Sequence, residues 1–241
     1  MKNAENFRVP IHDADLNGIA TASSVLRYMQ EAAHMQFVKN PPTLEELRNG
    51  GKVFLLSKLN MSIYSPITAY DQIVAESWPC ESKGVSFNRC GRILRGGVIV
   101  AELVSVWAFM DLSERRLLKT SDFSWNVTNE EPLELDFPTR IKIPKDIQLI
   151  LVGERQIVYS DLDGNGHMNN TKYPDMLCDF LPSMKNKRVA VISLNYTSEL
   201  PLGENIKIYL GENDGTYYFR TVKEDGMTGA EAEMILEDID I

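Results

Sequence analysis

A cluster of carboxylate, amide and imidazole side chains within one short stretch could carry out acid–base chemistry. The stretch reads Asp161-Leu-Asp163-Gly-Asn165-Gly-His167-Met-Asn169-Asn170. A histidine can hold or move a proton near neutral pH, and carboxylates and amides beside it can orient it. Backbone N–H groups at the start of the helix expected to follow would favour a developing oxyanion. This stretch is therefore the first candidate site.

The same pattern occurs earlier in the chain, which indicates an internal duplication. Residues 13–18 have Asp, Asn and Gly at the same spacing as residues 161–166, which lie 148 positions later. The dipeptide Leu59-Asn60 likewise matches Leu194-Asn195, 135 positions later. The chain thus consists of two related halves.

The second half has gained polar residues that the first half lacks. His167, Asn169 and Asn170 stand where the first half has three other residues, Ile19, Thr21 and Ala22. Glu199 stands where the first half has Tyr64. A histidine, two amides and a carboxylate gained together predict one working site, with a degenerate counterpart in the first half.

Two other interpretations of the Asp-rich stretches were weighed. An EF-hand calcium loop opens with the same spacing but needs a glutamate at its twelfth position, where the two copies have Ser24 and Lys172. We therefore predict no metal site. The second interpretation, an Asx turn that caps a helix, stays open for both copies.

The flanking hydrophobic patterns predict the elements that position these residues. Apolar residues at helical spacing predict a long helix over about residues 22–38, and a second one from Tyr173 to Leu181 with Asn170 as its N-cap. Alternating patterns predict strands over residues 54–65, 72–80, 87–94 and 98–112, and over residues 188–200, 205–212, 216–223 and 229–237. Thr43 and Glu46 form a capping box for a short extra helix.

Each half therefore has the pattern of a strand, a long helix and an antiparallel meander, an α+β architecture. The predicted domains are residues 1–125 and 148–241. A proline-containing stretch of low periodicity, residues 126–147, is the predicted linker.

Composition excludes several other classes of protein. The chain has 241 residues, 44% of them hydrophobic, and a net charge of −9, which argues against binding to nucleic acid. No apolar stretch is long enough for insertion into a membrane, and the N-terminus leads into no signal core, so a cytoplasmic protein is expected. Three cysteines without a CxxC motif favour free thiols.

Residues 161–173 resemble the signature of the fatty acyl-carrier-protein thioesterases of plants and bacteria. The tracts Phe54–Leu59 and Ser105–Asp111 are also similar to the first half of that family. The resemblance covers essentially the whole chain. It implies a tandem hotdog fold, in which each half is a long helix wrapped by an antiparallel β-sheet, in agreement with the duplication.

The resemblance also implies an activity, the hydrolysis of fatty acyl thioesters of acyl carrier protein without a cofactor. The implied catalytic residues are Asp163, Asn165, His167 and Glu199. A cysteine that often follows the glutamate in the family is Leu200 here, which argues against a cysteine nucleophile.

From the chemistry that such a reaction needs, we assign Glu199 as general base through a water, with His167 holding that water or sharing its proton. Asn165 would position the water or the carbonyl, and Asp163 would orient His167. Backbone N–H groups near Asn169 and Asn170 would bind the oxyanion.

The acyl chain is expected in the first half, because that half keeps an apolar helix face without the polar site residues. The residues expected to line its tunnel are Val25, Met29, Ala32 and Ala33. Since the expected partner, acyl carrier protein, is itself acidic, docking would need a local basic patch. The candidates are residues 185–188 and 115–119.

Two other functions stay open, an acyl-CoA thioesterase and a non-catalytic acyl-binding regulator. A regulator would be expected to carry a helix-turn-helix or a decayed site, and the sequence has neither. The oligomeric state is also open, with a homodimer as one option.

Overall fold

One antiparallel sheet organises the chain in the computed structural model, which describes residues 1–135 and 141–239. The strands of the first half are β1 (Asn3–Arg8), β2 (Lys52–Ile63), β3 (Gln72–Pro79), β4 (Ser86–Arg95), β5 (Val98–Asp111) and β6 (Arg116–Leu118). Those of the second half are β7 (Ile150–Gln156), β8 (Lys187–Tyr196), β9 (Asn205–Asn213), β10 (Thr216–Lys223) and β11 (Thr228–Asp238). The helices are α1 (Ala22–Lys39), α2 (Leu44–Asn49) and α3 (Tyr173–Cys178).

The strand order repeats between the halves. The first half has the order β1-β3-β4-β5-β2, and the second continues as β8-β11-β10-β9-β7. Each strand of one half has a counterpart at the matching place in the other, and β6 adds to β5 alone. The predicted duplication is thus confirmed, and the predicted meander strands lie within a few residues of the observed ones.

The two halves join where β2 pairs with β8. Leu59 lies opposite Leu194, and these two residues are 135 positions apart, the separation of equivalent positions in this part of the repeat. An approximate two-fold axis therefore passes through this pair. Both side chains are fully buried. Beside them the Asn60 amide donates to the Ser193 hydroxyl at 2.7 Å.

Helix α1 confirms the long helix predicted for the first half. Thr21 caps it by accepting from the Ser24 N–H group at 3.1 Å, and its apolar stripe packs on the sheet. Met29 lies against Gly91 of β4 so closely that a side chain at Gly91 would meet it at 3.3 Å. The short helix α2 has the predicted capping box of Thr43 and Glu46.

The helix of the second half is shorter than predicted. Helix α3 has six residues and ends at Cys178, after a 3-10 turn over Asn170–Lys172. Pro182 explains the early end, because it cannot donate a helical hydrogen bond to the Cys178 carbonyl. The predicted N-cap, Asn170, is also wrong: the side chain of Asn169 accepts from the Thr171 N–H group at 2.9 Å.

The first part of the predicted linker lies along β3. Glu130 forms a parallel bridge with Cys80, and the Trp78 ring N–H donates to the Glu131 carbonyl at 3.0 Å. Residues 136–140 of the linker lie outside the described residues. The domain limits proposed from the sequence stay a prediction.

The architecture is a tandem hotdog fold, as expected, with a long helix in the first half and a short one in the second. The main core is continuous across both halves, from Val9 to Met234. Among the described residues, no helix is long and apolar enough to cross a membrane.

The joint between the halves gives a stability prediction. Leu194→Ala should lower the free energy of unfolding by about 2–5 kcal/mol, because it removes a fully buried side chain from the junction. The matched control is Leu202→Ala, since Leu202 is 59% exposed and its truncation leaves no cavity. Urea unfolding of both variants measures the difference, and equal losses would contradict the central role of the junction.

Candidate active site

The turn that carries the predicted site is shaped by its own aspartate. The Asp163 N–H group donates to the His167 carbonyl at 2.8 Å, and the Asp163 carboxylate accepts from the Asn165 N–H group at 2.7 Å. The Asn165 amide donates to the other carboxylate oxygen at 3.3 Å. Gly166 closes the turn at a φ of +81°, a conformation that favours glycine. Among the described contacts, the Asp163 carboxylate therefore stabilises the turn and forms no hydrogen bond with the His167 ring.

His167 and Glu199 lie side by side. The distance between His167 Nε2 and Glu199 Oε2 is 3.3 Å, and the two side chains are 33% and 58% exposed. Backbone pairing brings them together, because Met168 donates to the Leu200 carbonyl at 2.8 Å and His167 forms an antiparallel bridge with Pro201. Water can reach both side chains.

Two buried tyrosines hold the start of α3 beside this pair. Burial raises the pKa of the Tyr173 hydroxyl well above its usual value, and the nearby charge of Glu199 raises it further. The Tyr173 ring meets the Tyr196 ring edge-on, with centroids 5.0 Å apart. The Tyr196 hydroxyl donates to the Asn170 carbonyl at 2.9 Å. Both phenols therefore stay neutral and act as structural supports.

The backbone N–H groups near Asn169 and Asn170 are not equally available. The N–H group of Asn169 donates to the Asp161 carbonyl at 2.8 Å, and that of Lys172 donates to the Asn169 carbonyl at 2.9 Å. The N–H group of Thr171 donates to the Asn169 side chain. Among the N–H groups of the four residues from Asn169 to Lys172, only that of Asn170 has no described acceptor, so it is the candidate oxyanion donor.

The first half reaches across to the site at two places. The Arg48 guanidinium on α2 donates to the Asn165 side-chain oxygen at 2.6 Å, although the two residues are 117 positions apart. At the start of α1, the Ser23 hydroxyl accepts from the Asp175 N–H group at 3.0 Å. Sequence reasoning missed Arg48, because only the pairing of the halves brings α2 to this turn.

The degenerate copy uses the equivalent residues to join the halves. Asn17, the counterpart of Asn165, forms three hydrogen bonds of 2.9–3.0 Å with backbone groups of residues 184–187. Tyr64, at the place of the glutamate, donates to Glu102 at 2.9 Å. The first copy therefore forms largely the Asx turn that the sequence analysis considered for these stretches. In the second copy, by contrast, the histidine and the glutamate are accessible to solvent.

A cavity of about 830 Å³ extends from this turn into the first half. Its wall includes Asn165, Asn169 and Thr171 from the second half, and side chains of α1, β2 and β4 from the first. His167 and Glu199 are not among its lining residues. His167 lies in the chain between two residues of the cavity wall, Asn165 and Asn169, and Glu199 lies beside it.

Of the four apolar residues predicted to line an acyl tunnel, Ala33 lies in the wall of this cavity. Met29 lies behind the wall, against a small space of about 10 Å³ that also touches Ala33. Val25 lines a separate cavity of about 260 Å³, and Ala32 is fully buried in the core.

Sequence reasoning also missed the aromatic wall of the cavity. Its members are Phe37, Phe54, Phe87, Phe123 and Trp125, which pack against one another. They come from α1, β2, β4 and the segment after β6, so no local spacing shows that they converge.

Comparison with known proteins identifies the family. The model of the acyl-ACP thioesterase N-terminal domain matches residues 1–124, and that of the C-terminal domain matches residues 146–236. The chain belongs to the acyl-ACP thioesterase family. The two matches coincide with the two halves of the sheet.

Plant proteins are similar to this chain. It is 27% identical over 221 residues to oleoyl-acyl carrier protein thioesterase 2 of Arabidopsis thaliana, covering 81% of this chain and 59% of that protein. It is 25% identical over 218 residues to the palmitoyl-acyl carrier protein thioesterase of Cuphea hookeriana, covering 81% and 51%. Both names include the word chloroplastic. The chain thus spans between half and three fifths of the length of these relatives.

Solved structures share the fold of this chain over 98% of its length. An acyl-ACP thioesterase from Bacteroides thetaiotaomicron superimposes with a TM-score of 0.88 at 20% identity, covering 98% of both chains. The 12:0-ACP thioesterase from Umbellularia californica gives 0.79 at 16% identity, covering 98% of this chain and 97% of the other.

The surroundings of Cys178 give a prediction about thiol chemistry. Burial, together with nearby carboxylates, raises the pKa of this thiol to about 12. Since only the thiolate reacts, a water-soluble disulfide reagent at neutral pH should modify Cys178 at least about a hundredfold more slowly in the folded protein than in urea. Spectrophotometric thiol titration of a Cys80→Ser/Cys90→Ser variant measures this rate. Fast reaction in the folded state would contradict the assignment of Cys178 as an inert thiol.

Proposed function

We propose that the chain hydrolyses fatty acyl thioesters of acyl carrier protein and releases the free acid and the carrier thiol. The observation that carries this proposal is the His167–Glu199 pair, 3.3 Å apart and open to solvent, next to two residues in the wall of a large cavity with an aromatic cluster. A cavity with an aromatic wall next to an acid–base pair suits a substrate with a long alkyl chain and one reactive carbonyl.

Glu199 acts as the general base in the proposed reaction. Its carboxylate takes a proton from a water molecule as the water oxygen bonds to the thioester carbon. His167 holds this water through its ring nitrogen and shares the proton with Glu199. The carbon–sulfur bond then breaks, and the proton passes to the departing thiolate.

The developing oxyanion is bound at the start of the 3-10 turn. The N–H group of Asn170 is the available backbone donor there. The amide of Asn165 lies in the cavity wall and can orient the carbonyl or the water. Asp163 acts indirectly, by shaping the turn that presents Asn165 and His167.

The acyl chain lies in the first half, in the cavity walled by Ala33 and the aromatic residues. Met29 and Ala32 support this wall from behind rather than touch the chain. Val25 faces the other cavity, so its part in binding the acyl chain is the weakest of the four.

Acyl carrier protein is the proposed partner, and one of the two basic clusters suits its docking. Arg188 is buried and paired with Glu237, and Lys187 is paired with Asp238. Arg116 of the other cluster also pairs with Glu114, but Arg115, Arg116 and Lys119 are all exposed and precede Thr120 and Phe123 of the cavity wall. That cluster is therefore the better candidate.

A second copy of the chain is not needed to complete the proposed site, because both halves of one chain contribute to it. A homodimer and a cytoplasmic location stay predictions. An acyl-CoA thioesterase is the alternative that shares all of this chemistry, and parallel assays with the two carriers separate them.

Glu199→Gln and His167→Ala should each lower kcat/KM for acyl carrier protein thioesters by at least about a hundredfold, the scale of lost acid–base catalysis. Release of free acid measures the effect, and circular dichroism checks that both variants fold.

The matched control lies in the degenerate copy. Tyr64→Phe removes the hydroxyl that donates to Glu102 and should leave turnover nearly unchanged. Comparable losses in all three variants would contradict a single working site.

Docking of the carrier can be tested at the exposed basic cluster. Arg116→Glu/Lys119→Glu should raise KM for acyl carrier protein about tenfold, because charge complementarity is reversed, but not KM for an acyl pantetheine. The effect should shrink at high salt. Lys185→Glu is the control at the other cluster. Equal changes for both substrates would reject a docking role.

A further inference from the structure

Arg48, in the last turn of α2, is a charged residue of the first half that lies against the turn of the candidate site. Its guanidinium donates to the Asn165 side-chain oxygen at 2.6 Å, and both residues lie in the wall of the 830 Å³ cavity. Among the hydrogen bonds described for residues 1–135 and 141–239, this is the one that the Arg48 side chain forms. The guanidinium is thus directed at the site and not at the rest of the first half.

The turn of the second half leaves room for this guanidinium. A Cβ atom at Gly164 would meet Arg48 Nη1 at 3.3 Å, and the other atoms near it also belong to Arg48. Gly164 does not have a positive φ, so the backbone of the turn does not require glycine there. The equivalent residue of the first copy is Leu16, whose side chain is 75% exposed. The small residue of the second copy therefore provides the space that Arg48 occupies.

The contact determines which end of the Asn165 amide faces the rest of the site. A guanidinium has N–H donors and no acceptor, so only the amide oxygen can face Arg48. The amide nitrogen carries two hydrogens, and one of them is donated to the Asp163 carboxylate at 3.3 Å. The other has no described acceptor and is available to a ligand in the cavity. A positive charge beside the oxygen also polarises the amide and makes its N–H group a stronger donor.

The first copy holds its amide in the same way but leaves nothing free. The side-chain oxygen of Asn17 accepts from the Asn186 N–H group at 2.9 Å, and its nitrogen donates to the carbonyls of Met184 and Lys187. In both copies, a donor from the other half of the chain therefore holds the amide oxygen. Only in the second copy, where that donor is Arg48, does an amide N–H group lack a described acceptor.

We propose that Arg48 is a positioning residue of the reaction, which holds the Asn165 amide so that its free N–H group, and not its oxygen, faces the thioester carbonyl. This proposal rests on the proposed function, because it takes that carbonyl to lie beside the His167–Glu199 pair. Asn165 then binds the carbonyl oxygen together with the N–H group of Asn170. The attacking water is left to His167 and Glu199.

Substitution of Arg48 tests the positioning role by its effect on kcat. Arg48→Met should lower kcat about tenfold and leave KM for acyl carrier protein thioesters nearly unchanged, because the amide loses its fixed orientation. Arg48→Lys keeps one donor and should lose less. An unchanged kcat in Arg48→Met, or a loss confined to KM, would overturn the proposal.

A second variant displaces the guanidinium without changing Arg48. Gly164→Leu puts the residue of the first copy into the space that the guanidinium occupies, and it should lower kcat to a similar degree. Leu16→Gly, the opposite exchange in the first copy, is the matched control and should leave kcat unchanged. Equal losses in these two variants would contradict the proposed role of the space at Gly164.

A double-mutant cycle separates positioning from direct binding of the substrate by Arg48. Asn165→Ala removes the group through which Arg48 acts, so the addition of Arg48→Met should then change kcat/KM by less than about twofold. A guanidinium that bound the substrate or the carrier itself would still lower kcat/KM severalfold when removed from the Asn165→Ala variant. That result would overturn the proposal.

Binding of analogues that cannot be hydrolysed reports on the amide without turnover. In an acyl pantetheine ketone, a methylene group replaces the sulfur and the carbonyl stays, whereas the matching alkyl thioether has no carbonyl. Calorimetry should show that the wild type binds the ketone about fivefold more tightly than the thioether, the scale of one hydrogen bond. Arg48→Met should lose this preference. Asn165→Asp should lose it too, because a carboxylate offers an oxygen to Arg48 but no N–H donor to the ketone.

These binding data also separate the proposal from the proposed function. A ketone preference that depends on Arg48 and Asn165, without thioester hydrolysis by the wild type, would support the positioning role and contradict the proposed function. Hydrolysis that depends on His167 and Glu199, with a ketone preference that Arg48→Met leaves intact, would do the reverse. Equal binding of the two analogues by the wild type would also overturn the positioning role.

Discussion

Five residues of β2, Lys58–Ser62, pair with five residues of β8, and this short ladder joins the two halves into one sheet. Its register is fixed by burial, because a slip of one residue would turn Leu59 and Leu194 away from the core. The approximate two-fold axis at this pair sets the rest of the structure. It brings the start of α1 to α3 and Arg48 of α2 to the turn of the second half, so that both halves contribute to the proposed site.

The duplicated turn serves two purposes in the two halves. Both copies have the same hydrogen bonds between aspartate, asparagine and a glycine of positive φ, so the turn itself is a structural unit. In the first copy, the side-chain amide of Asn17 donates hydrogen bonds to backbone carbonyls of the other half. In the second copy, the described hydrogen bonds of the Asn165 side chain are with the side chains of Arg48 and Asp163. Duplication allowed one copy to hold the halves together while the other gained His167 and Glu199.

Of the four α1 residues predicted to line an acyl tunnel, only Ala33 lies in the wall of the large cavity. Ala32 and Met29 lie on the face of α1 that packs into the core, whereas Ala33, one position further, reaches the cavity. A rotation of about 100° per residue separates the two faces. The remaining wall is aromatic and comes from segments as distant as Phe54 and Trp125.

The sequence by itself determined the duplication, the positions of most strands along the chain, and the helices α1 and α2, and it supplied the residues of the turn proposed as catalytic. These follow from patterns that repeat locally or at a fixed offset. It overestimated the length of α3, because the apolar spacing up to Leu181 indicated a longer helix and the helix-ending effect of Pro182 was not considered. Tertiary structure alone decided the contact of Arg48 with Asn165, the exclusion of Met29 from the cavity, and the convergence of the aromatic wall. Each of these depends on which distant segments meet, and only the pairing of β2 with β8 and the packing of α1 on the sheet fix that.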